Sequence, residues 1–302
     1  MINVGLKEVA FLYKSELKEL NKRMSLYSSR ARLLVKLASS SVYLIPACVA
    51  EASATCFFAT TTTFWGDKMR IVIPEISSIS LSIFGCYEYE LSHWMLKHIT
   101  KGMTVLDVGA HIGYHTLLAS FLVGDKGQVH SFEPTPGTFS ILESNARHRS
   151  NVTLNQKACF STNTNTVLND FGFRYSGFNT LAMPRLANLP KRNQYQVEAL
   201  RLDDYIISKQ LRPDFVKIDA ESTELEVLKG MDGAIVRYHP AICLEVGDYV
   251  RDAVSSRMLV QYLLDKDYRA FELNQGFTVK HVLKKLYDYS NLLFLPNYLF
   301  SD

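Results

Sequence analysis

Five acids, set beside two glycines or at the ends of apolar runs, are the residues of this sequence whose placement could do chemistry. In TVLDVGAHIGYHT, residues 104 to 116, Asp107 interrupts the apolar run of Val105, Leu106 and Val108. Gly109 and Gly113 follow four apart, and LLASFLV then resumes at helical spacing. That order reads as a strand, a tight turn and a helix start. Gly109 can take backbone angles closed to other residues and lets a ligand approach the main chain. Gly113 removes a side chain where the new helix would press on the strand. The first amides of the helix point back into the turn, which is therefore built to hold something small and polar. Twenty-four residues beyond Gly109, the run QVHSFEP carries Glu133 at the tip of the next strand. A carboxylate there can accept both hydroxyls of a ribose.

The dinucleotide pattern G-x-G-x-x-G is broken, because His111 stands at its middle glycine. A turn of this kind, framed by Asp107 and Glu133, suits a nucleoside that carries an ammonium and a sulfonium and needs no phosphate site. S-adenosylmethionine is such a molecule. Taken singly, Asp107 could merely cap the turn and Glu133 could be a solvated strand end.

A second group lies in DFVKIDAESTELEVLKGM, residues 214 to 231. Lys217 and Asp219 are two apart on a strand and project from one face. Buried strands seldom carry such a pair unless it is paired or used. Asp219 falls at the carboxyl end of its strand, the edge where open α/β sheets bind ligands. The next strand, AICLEV, brings Glu245 to an equivalent place, with Glu221 close behind Asp219. Asp219 is the first candidate for a base that takes a proton from an acceptor, with Glu221 or Glu245 orienting it; His115 and His111 come second. Asp219 is also counted among the cofactor residues. So is Glu88, which with Tyr87 and Glu90 opens a helix near the glycine turn. A divalent metal on Asp219 and Glu245 lacks a visible third ligand, so no metal ligand is assigned. A salt-bridge cluster around Lys217 is the alternative reading of the whole group.

The elements that must position these residues follow from periodicity. Residues 5 to 38 have apolar positions at helical spacing with Lys and Arg between them, an amphipathic helical arm. It serves either as packing or as a weak contact for anionic lipid or a partner protein. From Cys56 to Pro74, CFFATTTTFW and MRIVIP flank Gly66-Asp67-Lys68 and predict a β-hairpin. Gly85 breaks the chain, and a helix through Leu91, Trp94, Met95 and Ile99 leads to Thr104. After Glu133 come a helix, roughly 136 to 148, and a strand around 152 to 159. Residues 161 to 196, with YSGFNT at 175 to 180, show no clear period; short extra strands folding over the active site are expected there. Thr223 and Glu226 match a capping box at the next helix start. The chain closes with a helix at 252 to 265 and the strands YRAFEL and NLLFLP, joined by a segment with a basic helical stretch. These two strands pair most easily as an antiparallel hairpin. The domain reading is an N-terminal helical arm and β-hairpin over 1–84 and an α/β domain over 85–302.

The composition bounds the rest. A chain of 302 residues with 47% hydrophobic and 21% charged residues can bury a full core. A net charge of +3 on 33 basic and 30 acidic residues is too balanced to argue for nucleic acid, although residues 1 to 36 hold eight Lys or Arg against three Glu. The five cysteines stand singly, with no C-x-x-C, which argues for reduced thiols and a cytoplasmic location. Lys7 and Glu8 break the first apolar residues, so no secretory signal is read. In the weakly hydrophobic stretch from Leu37 to Trp65, Pro46 and Glu51 leave no apolar window long enough to span a bilayer.

From about Gly85 to Pro296 the sequence resembles an FkbM-type, S-adenosylmethionine-dependent methyltransferase. The resemblance is carried by YEYE at 87 to 90, VLDVGAHIGYHT at 105 to 116, FEP at 132 to 134 and LDDYI at 202 to 206. It continues through DFVKIDAESTELEVLKG at 214 to 230, LEV at 244 to 246 and LLFLP at 292 to 296. It implies a Rossmann-like class I methyltransferase sheet, mostly parallel with a terminal antiparallel hairpin. It also implies methyl transfer to an oxygen of a sugar, glycan or other small polar acceptor. Asp107, Gly109 and Gly113 would hold the methionine end of the cofactor and Glu133 the ribose, with Asp219 and Glu221 beside the acceptor. The sequence departs from the family at His111, where Asn is usual, and at Ser222, where Gly is usual, and a serine resists the positive backbone angle a glycine supplies. The competing readings are a nicotinamide-dependent oxidoreductase and a catalytically inactive scaffold of the same fold.

Overall fold

The computed structural model describes residues 55–182, 193–248, 254–274 and 277–300. The amphipathic arm expected at 5 to 38, and the contacts assigned to it, lie outside the described residues. No helix among the described residues is long and apolar enough to cross a membrane. The chain divides into two compact units between Lys97 and His98.

In the first unit, β1 (Phe57–Thr62) and β2 (Lys68–Ile73) form the expected antiparallel hairpin, with Phe57 opposite Ile73 and Thr62 opposite Lys68. Its turn is closed by Trp65, whose indole N–H donates to the Asp67 carboxylate at 2.7 Å. A helix that periodicity alone did not suggest follows, α1 (Ile76–Phe84). Its signals are at its ends: the Glu75 carboxylate accepts the Ser77 and Ser78 amides at 2.8 and 2.7 Å, and Gly85 at φ +63° stops it. The expected helix α2 (Tyr89–His98) buries Leu91, Trp94 and Met95.

The second unit runs β3 (Thr104–Val108), α3 (Tyr114–Val123), β4 (Gln128–Phe132), α4 (Pro136–Ala146), β5 (Val152–Asn155), β6 (Ala158–Phe160) and β7 (Thr164–Asp170). A 3-10 helix (Phe173–Phe178), β8 (Asn193–Arg201), α5 (Leu202–Ser208), β9 (Phe215–Ile218), α6 (Glu224–Gly230) and α7 (Asp232–Tyr238) follow. Last come β10 (Ala241–Val246), α8 (Ser256–Leu264), β11 (Tyr268–Asn274), β12 (Phe277–Lys280), β13 (Ser290–Pro296) and a 3-10 turn (Asn297–Phe300). Eight strands form one sheet in the order β12-β11-β13-β10-β9-β3-β4-β5. From β5 to β10 all neighbours are parallel, whereas β13 runs antiparallel to both β10 and β11. This is the expected mostly parallel α/β sheet with its antiparallel terminal pair. The central strands are apolar and buried along nearly their whole length, as Val105, Leu106, Phe215, Val216, Ile242 and Leu244 show, because helices cover both faces of a parallel sheet.

Two expectations are corrected. The strand expected at 152 to 159 is two: β5 stays in the large sheet, and β6 leaves it to pair with β8 in a separate sheet of order β6-β8-β7. Asn155 ends β5 by turning its amide back onto the Ser131 carbonyl at 3.1 Å. The basic stretch between the two terminal strands is not helical. It forms the edge strand β12 and then an irregular connection, 281 to 289, in which His281 and Tyr287 turn inward and bond each other at 2.9 Å.

Candidate active site

The parallel register lines up the polar residues of the central strands. Asp107 on β3 is opposite Ser131 on β4 and Lys217 on β9, and Lys217 is opposite Cys243 on β10. The turns that end these strands therefore meet on one edge of the sheet.

Gly109 and Gly113 take φ +74° and +94° in the turn after β3. A Cβ on Gly109 would lie 1.7 Å from the main-chain oxygen of Asp219, so the space freed there is filled by the end of β9 and not by a ligand. A Cβ on Gly113 would meet Leu142 Cδ1 at 2.6 Å; what it admits is helix α4, not the strand below it. His111, at φ +50°, donates its main-chain N–H to Glu133 Oε2 at 3.1 Å, and its ring Nε2 lies 2.7 Å from Ser176 Oγ. The Thr135 amide donates to Glu133 Oε1 at 2.9 Å. Glu133 is thus buried and pinned by one amide on each oxygen. Burial pushes its carboxyl above the ordinary carboxylate range, against the pull of His111 and of these bonds. A carboxylate offers about four acceptor sites, so two amides leave room for two hydroxyls.

Asp107 is buried to 1% exposure; Thr116 donates to its Oδ2 at 2.6 Å, and Oδ1 has no hydrogen-bond partner among the described residues. Burial raises its pKa, opposed first by the Lys217 ammonium. A buried carboxylate oxygen without a donor is costly and fits an arriving cation. His115, on the first turn of α3, is buried too. Burial and the Lys217 charge hold its pKa well below the ordinary value, so it is neutral.

Asp219 follows β9 directly. Its N–H donates to the Val108 carbonyl at 3.1 Å, and its Oδ2 accepts from Lys217 Nζ at 2.9 Å. Glu221 and Ser222 both take positive φ, +48° and +80°, so the serine does adopt the angle it disfavours. The capping box expected at Thr223 is absent: Thr223 Oγ1 donates to the Ala220 carbonyl at 2.8 Å, while Glu226 binds Ser161 and Lys229. Glu245, buried near the end of β10, accepts from the Tyr289 hydroxyl. Carboxylate oxygens of Asp219, Glu221 and Glu245 lie within 4.8 Å of one another. Their convergence was expected; that Glu221 completes a trio of a size able to hold a divalent cation was not.

The expected cover over this edge is present in part. The 3-10 helix Phe173–Phe178 docks through Ser176 on His111. Beyond it Asn179 Nδ2 donates to Thr135 Oγ1 at 3.4 Å and Thr180 Oγ1 to the Glu221 carbonyl. Residues 183–192 of the same stretch lie outside the described residues. YSGFNT had marked Ser176 and Asn179 only as part of a loop, and nothing in the sequence singled out Thr135 or Tyr289. Glu88 belongs to the first unit. It takes φ +43°, and its carbonyl accepts the Ser92 amide at 2.9 Å where α2 begins.

Against known proteins, the model of the methyltransferase FkbM domain matches residues 107–270, more than half of the chain. The hexuronic acid methyltransferase AglP of Haloferax volcanii is 27% identical over 149 residues, 49% of this chain and 58% of that protein. The chain thus spans little more than half the length of that curated relative. A crystal structure of methyltransferase FkbM from Methylobacillus flagellatus superimposes with a TM-score of 0.44 at 17% identity, covering 72% of this chain and 52% of that one. Fibrillarin of Aeropyrum pernix, solved with S-adenosylmethionine natively bound, gives 0.41 at 12% identity, over 68% and 74% of the two chains.

Proposed function

The chain belongs to the FkbM methyltransferase family, and on that footing we propose that it transfers a methyl group from S-adenosylmethionine to a hydroxyl of a sugar-like acceptor. The observation that carries the proposal is the seating of Asp219 against Gly109. It sets an acid suited to taking a proton beside the acids suited to holding a nucleoside cofactor, on one edge of the sheet. The bare Oδ1 of Asp107 and the two remaining lone pairs of Glu133 fit the cofactor's ammonium and ribose, and the turn makes no demand for phosphate. The relative named for a hexuronic acid supports a sugar acid or a glycan as the acceptor.

S-adenosylmethionine supplies an activated methyl group when bound. Asp107, Gly109, His111, Gly113 and Glu133 are assigned to holding it, and Asp219 borders it through the Gly109 contact. Glu88 stays in this set on its sequence pattern alone. Asp219 takes the acceptor's proton, and the Lys217 ammonium at 2.9 Å holds its carboxylate in place. Glu221 and Glu245 orient the acceptor hydroxyl and Asp219. A positioned base of this kind contributes about a hundredfold to ten-thousandfold in rate. His115, neutral and buried, is poorly placed to replace it. The segment Phe173–Phe178 shields the edge from water. The proposal also takes residues 85–302 as the catalytic domain, 1–84 as arm and hairpin, and a reducing, cytoplasmic setting.

A thermal-shift titration with S-adenosylmethionine, its demethylated product and NADH tests the cofactor assignment. Ligand at a hundred times its dissociation constant stabilises a fold by about 2.7 kcal/mol. A rise with the first two alone is expected; a rise with NADH alone, or none at all, rejects the reading.

A further inference from the structure

The connection between β12 and β13 spends polar contacts on holding apolar side chains in water. His281 is buried, with Nδ1 3.0 Å from Glu272 and Nε2 2.9 Å from the Tyr287 hydroxyl, which also accepts the Lys284 amide at 3.1 Å. Tyr287 is buried as well. Its amide donates to Asp248 Oδ2 at 2.8 Å, and its carbonyl accepts the Asp248 amide at 2.9 Å. Arg257, at the start of α8, donates to the Lys284 carbonyl at 3.1 Å. A loop tied at so many points has a fixed shape. Yet Val282 and Leu286 are each 76% exposed, and on the preceding edge strand Phe277 and Val279, two apart and so on one face, are 70% and 53% exposed.

Single exposed apolar residues need no explanation, but four within ten positions on a rigid edge do. Their surroundings supply one. Lys280, Lys284 and Lys285 are all exposed among them, and Arg257 is tied to the same loop; the acids nearby are the exposed Asp288, the half-buried Asp248, bonded to Tyr287, and Glu272, which pairs with Lys284 at 2.8 Å. Apolar side chains held outward among three exposed lysines match a bilayer surface of negative charge: the apolar groups enter the acyl boundary and the ammoniums meet the headgroups. A partner protein's apolar patch would not call for so many lysines, which are depleted in protein interfaces.

We propose that the 277–286 edge docks the protein on anionic lipid. Through Asp248 and Tyr289 the same loop adjoins the strand end that carries Glu245, so docking would set the candidate active edge close to the membrane. The inference stands on exposure and charge alone and does not need the methyl-transfer reading to be correct.

The test is cosedimentation of the full chain with sonicated vesicles of phosphatidylcholine containing about one third phosphatidylglycerol, whose anionic headgroups give the surface a negative potential. Pure phosphatidylcholine vesicles serve as the control. Binding to the anionic vesicles only is expected, weakened by salt. Lys280→Gln with Lys285→Gln should lower the partition coefficient about thirtyfold, about fivefold per lysine at about 1 kcal/mol each. Val282→Ser with Leu286→Ser should lower it about tenfold or more. Both pairs of positions are on the surface, and circular dichroism establishes that the variants fold. Three results would overturn the proposal: no binding by the wild type, binding left unchanged by both double variants, which would move the contact to another part of the chain, or a concentration-dependent dimer that the Val282 and Leu286 changes abolish without affecting vesicle binding.

Discussion

The glycine turn after β3 and the acid loop after β9 adjoin each other on the sheet edge and are built by opposite means. In the turn the fixed parts are main chain: glycines at φ +74° and +94°, and amides of His111 and Thr135 closing on Glu133. In the loop they are chiefly side chains, Lys217 on Asp219 and Tyr289 on Glu245, although Glu221 and Ser222 there also hold positive φ with no glycine between them. Main-chain construction tolerates little change, whereas side-chain construction can be retuned residue by residue; under the proposed function the first would serve the cofactor and the second the acceptor.

The harshest way to break the comparison is Gly109→Ala, because it strikes where the two regions touch. Its Cβ would fall 1.7 Å from the Asp219 carbonyl, at a φ that alanine also resists. A clash with main chain cannot be relieved by a rotamer change, so loss of several kcal/mol, about 3 or more, is expected. Both S-adenosylmethionine binding and turnover should go with it. Gly102→Ala is the control, since its φ of +91° carries similar strain but its Cβ meets nothing within 4 Å. If thermal melts show equal losses for the two variants, the backbone angle and not the contact is what Gly109 serves.

Asp219→Asn separates the regions. Turnover should fall about a hundredfold to ten-thousandfold while the dissociation constant for S-adenosylmethionine, read by calorimetry, stays within about threefold. Parallel loss of both would make Asp219 a structural partner of Lys217. Glu133→Ala is the complementary change. Hydrogen bonds to a charged group contribute about 1.5 to 3 kcal/mol, so cofactor affinity should drop by about tenfold to a hundredfold with turnover at saturation little changed. Unaltered affinity would remove the ribose assignment.

The same contrast explains what could be read from the sequence. The turn was legible because its devices are local: Asp107, two glycines four apart and an acid at the next strand tip fall in fixed order along the chain. The mostly parallel sheet with its antiparallel end was legible because apolar runs of strand length alternate with helical spacing, but the order of the strands across the sheet was not. The acid loop was legible only as a list of acids at strand ends. Glu221 joins Asp219 and Glu245 from a stretch with φ +48° at Glu221 and +80° at Ser222, angles that neither residue type announces, and Thr223-x-x-Glu226 suggested a cap that the Ser161 and Lys229 contacts of Glu226 displace. The basic 278–289 stretch has helix-like spacing, but it lies on an open sheet edge, where β12 gains the unpaired main-chain groups of β11. Tertiary context overrode propensity there.

The smallest expected effect sharpens the comparison most. A non-glycine residue held in the left-handed region costs about 1 to 2 kcal/mol, and a glycine in its place returns about 0.5 to 1 kcal/mol of that as lost flexibility in folding. Ser222→Gly should therefore stabilise the protein by up to about 1 kcal/mol, a rise in melting temperature of about 2 to 4 °C. If the loop is shaped by its side chains, the gain comes with turnover unchanged, because Lys217, Thr180 and Tyr289 still hold Asp219, Glu221 and Glu245 where they are. If turnover instead falls as stability rises, the serine was restraining Glu221. The acceptor side would then depend on backbone angle as closely as the cofactor side does, and the division between the two regions would have to be drawn elsewhere.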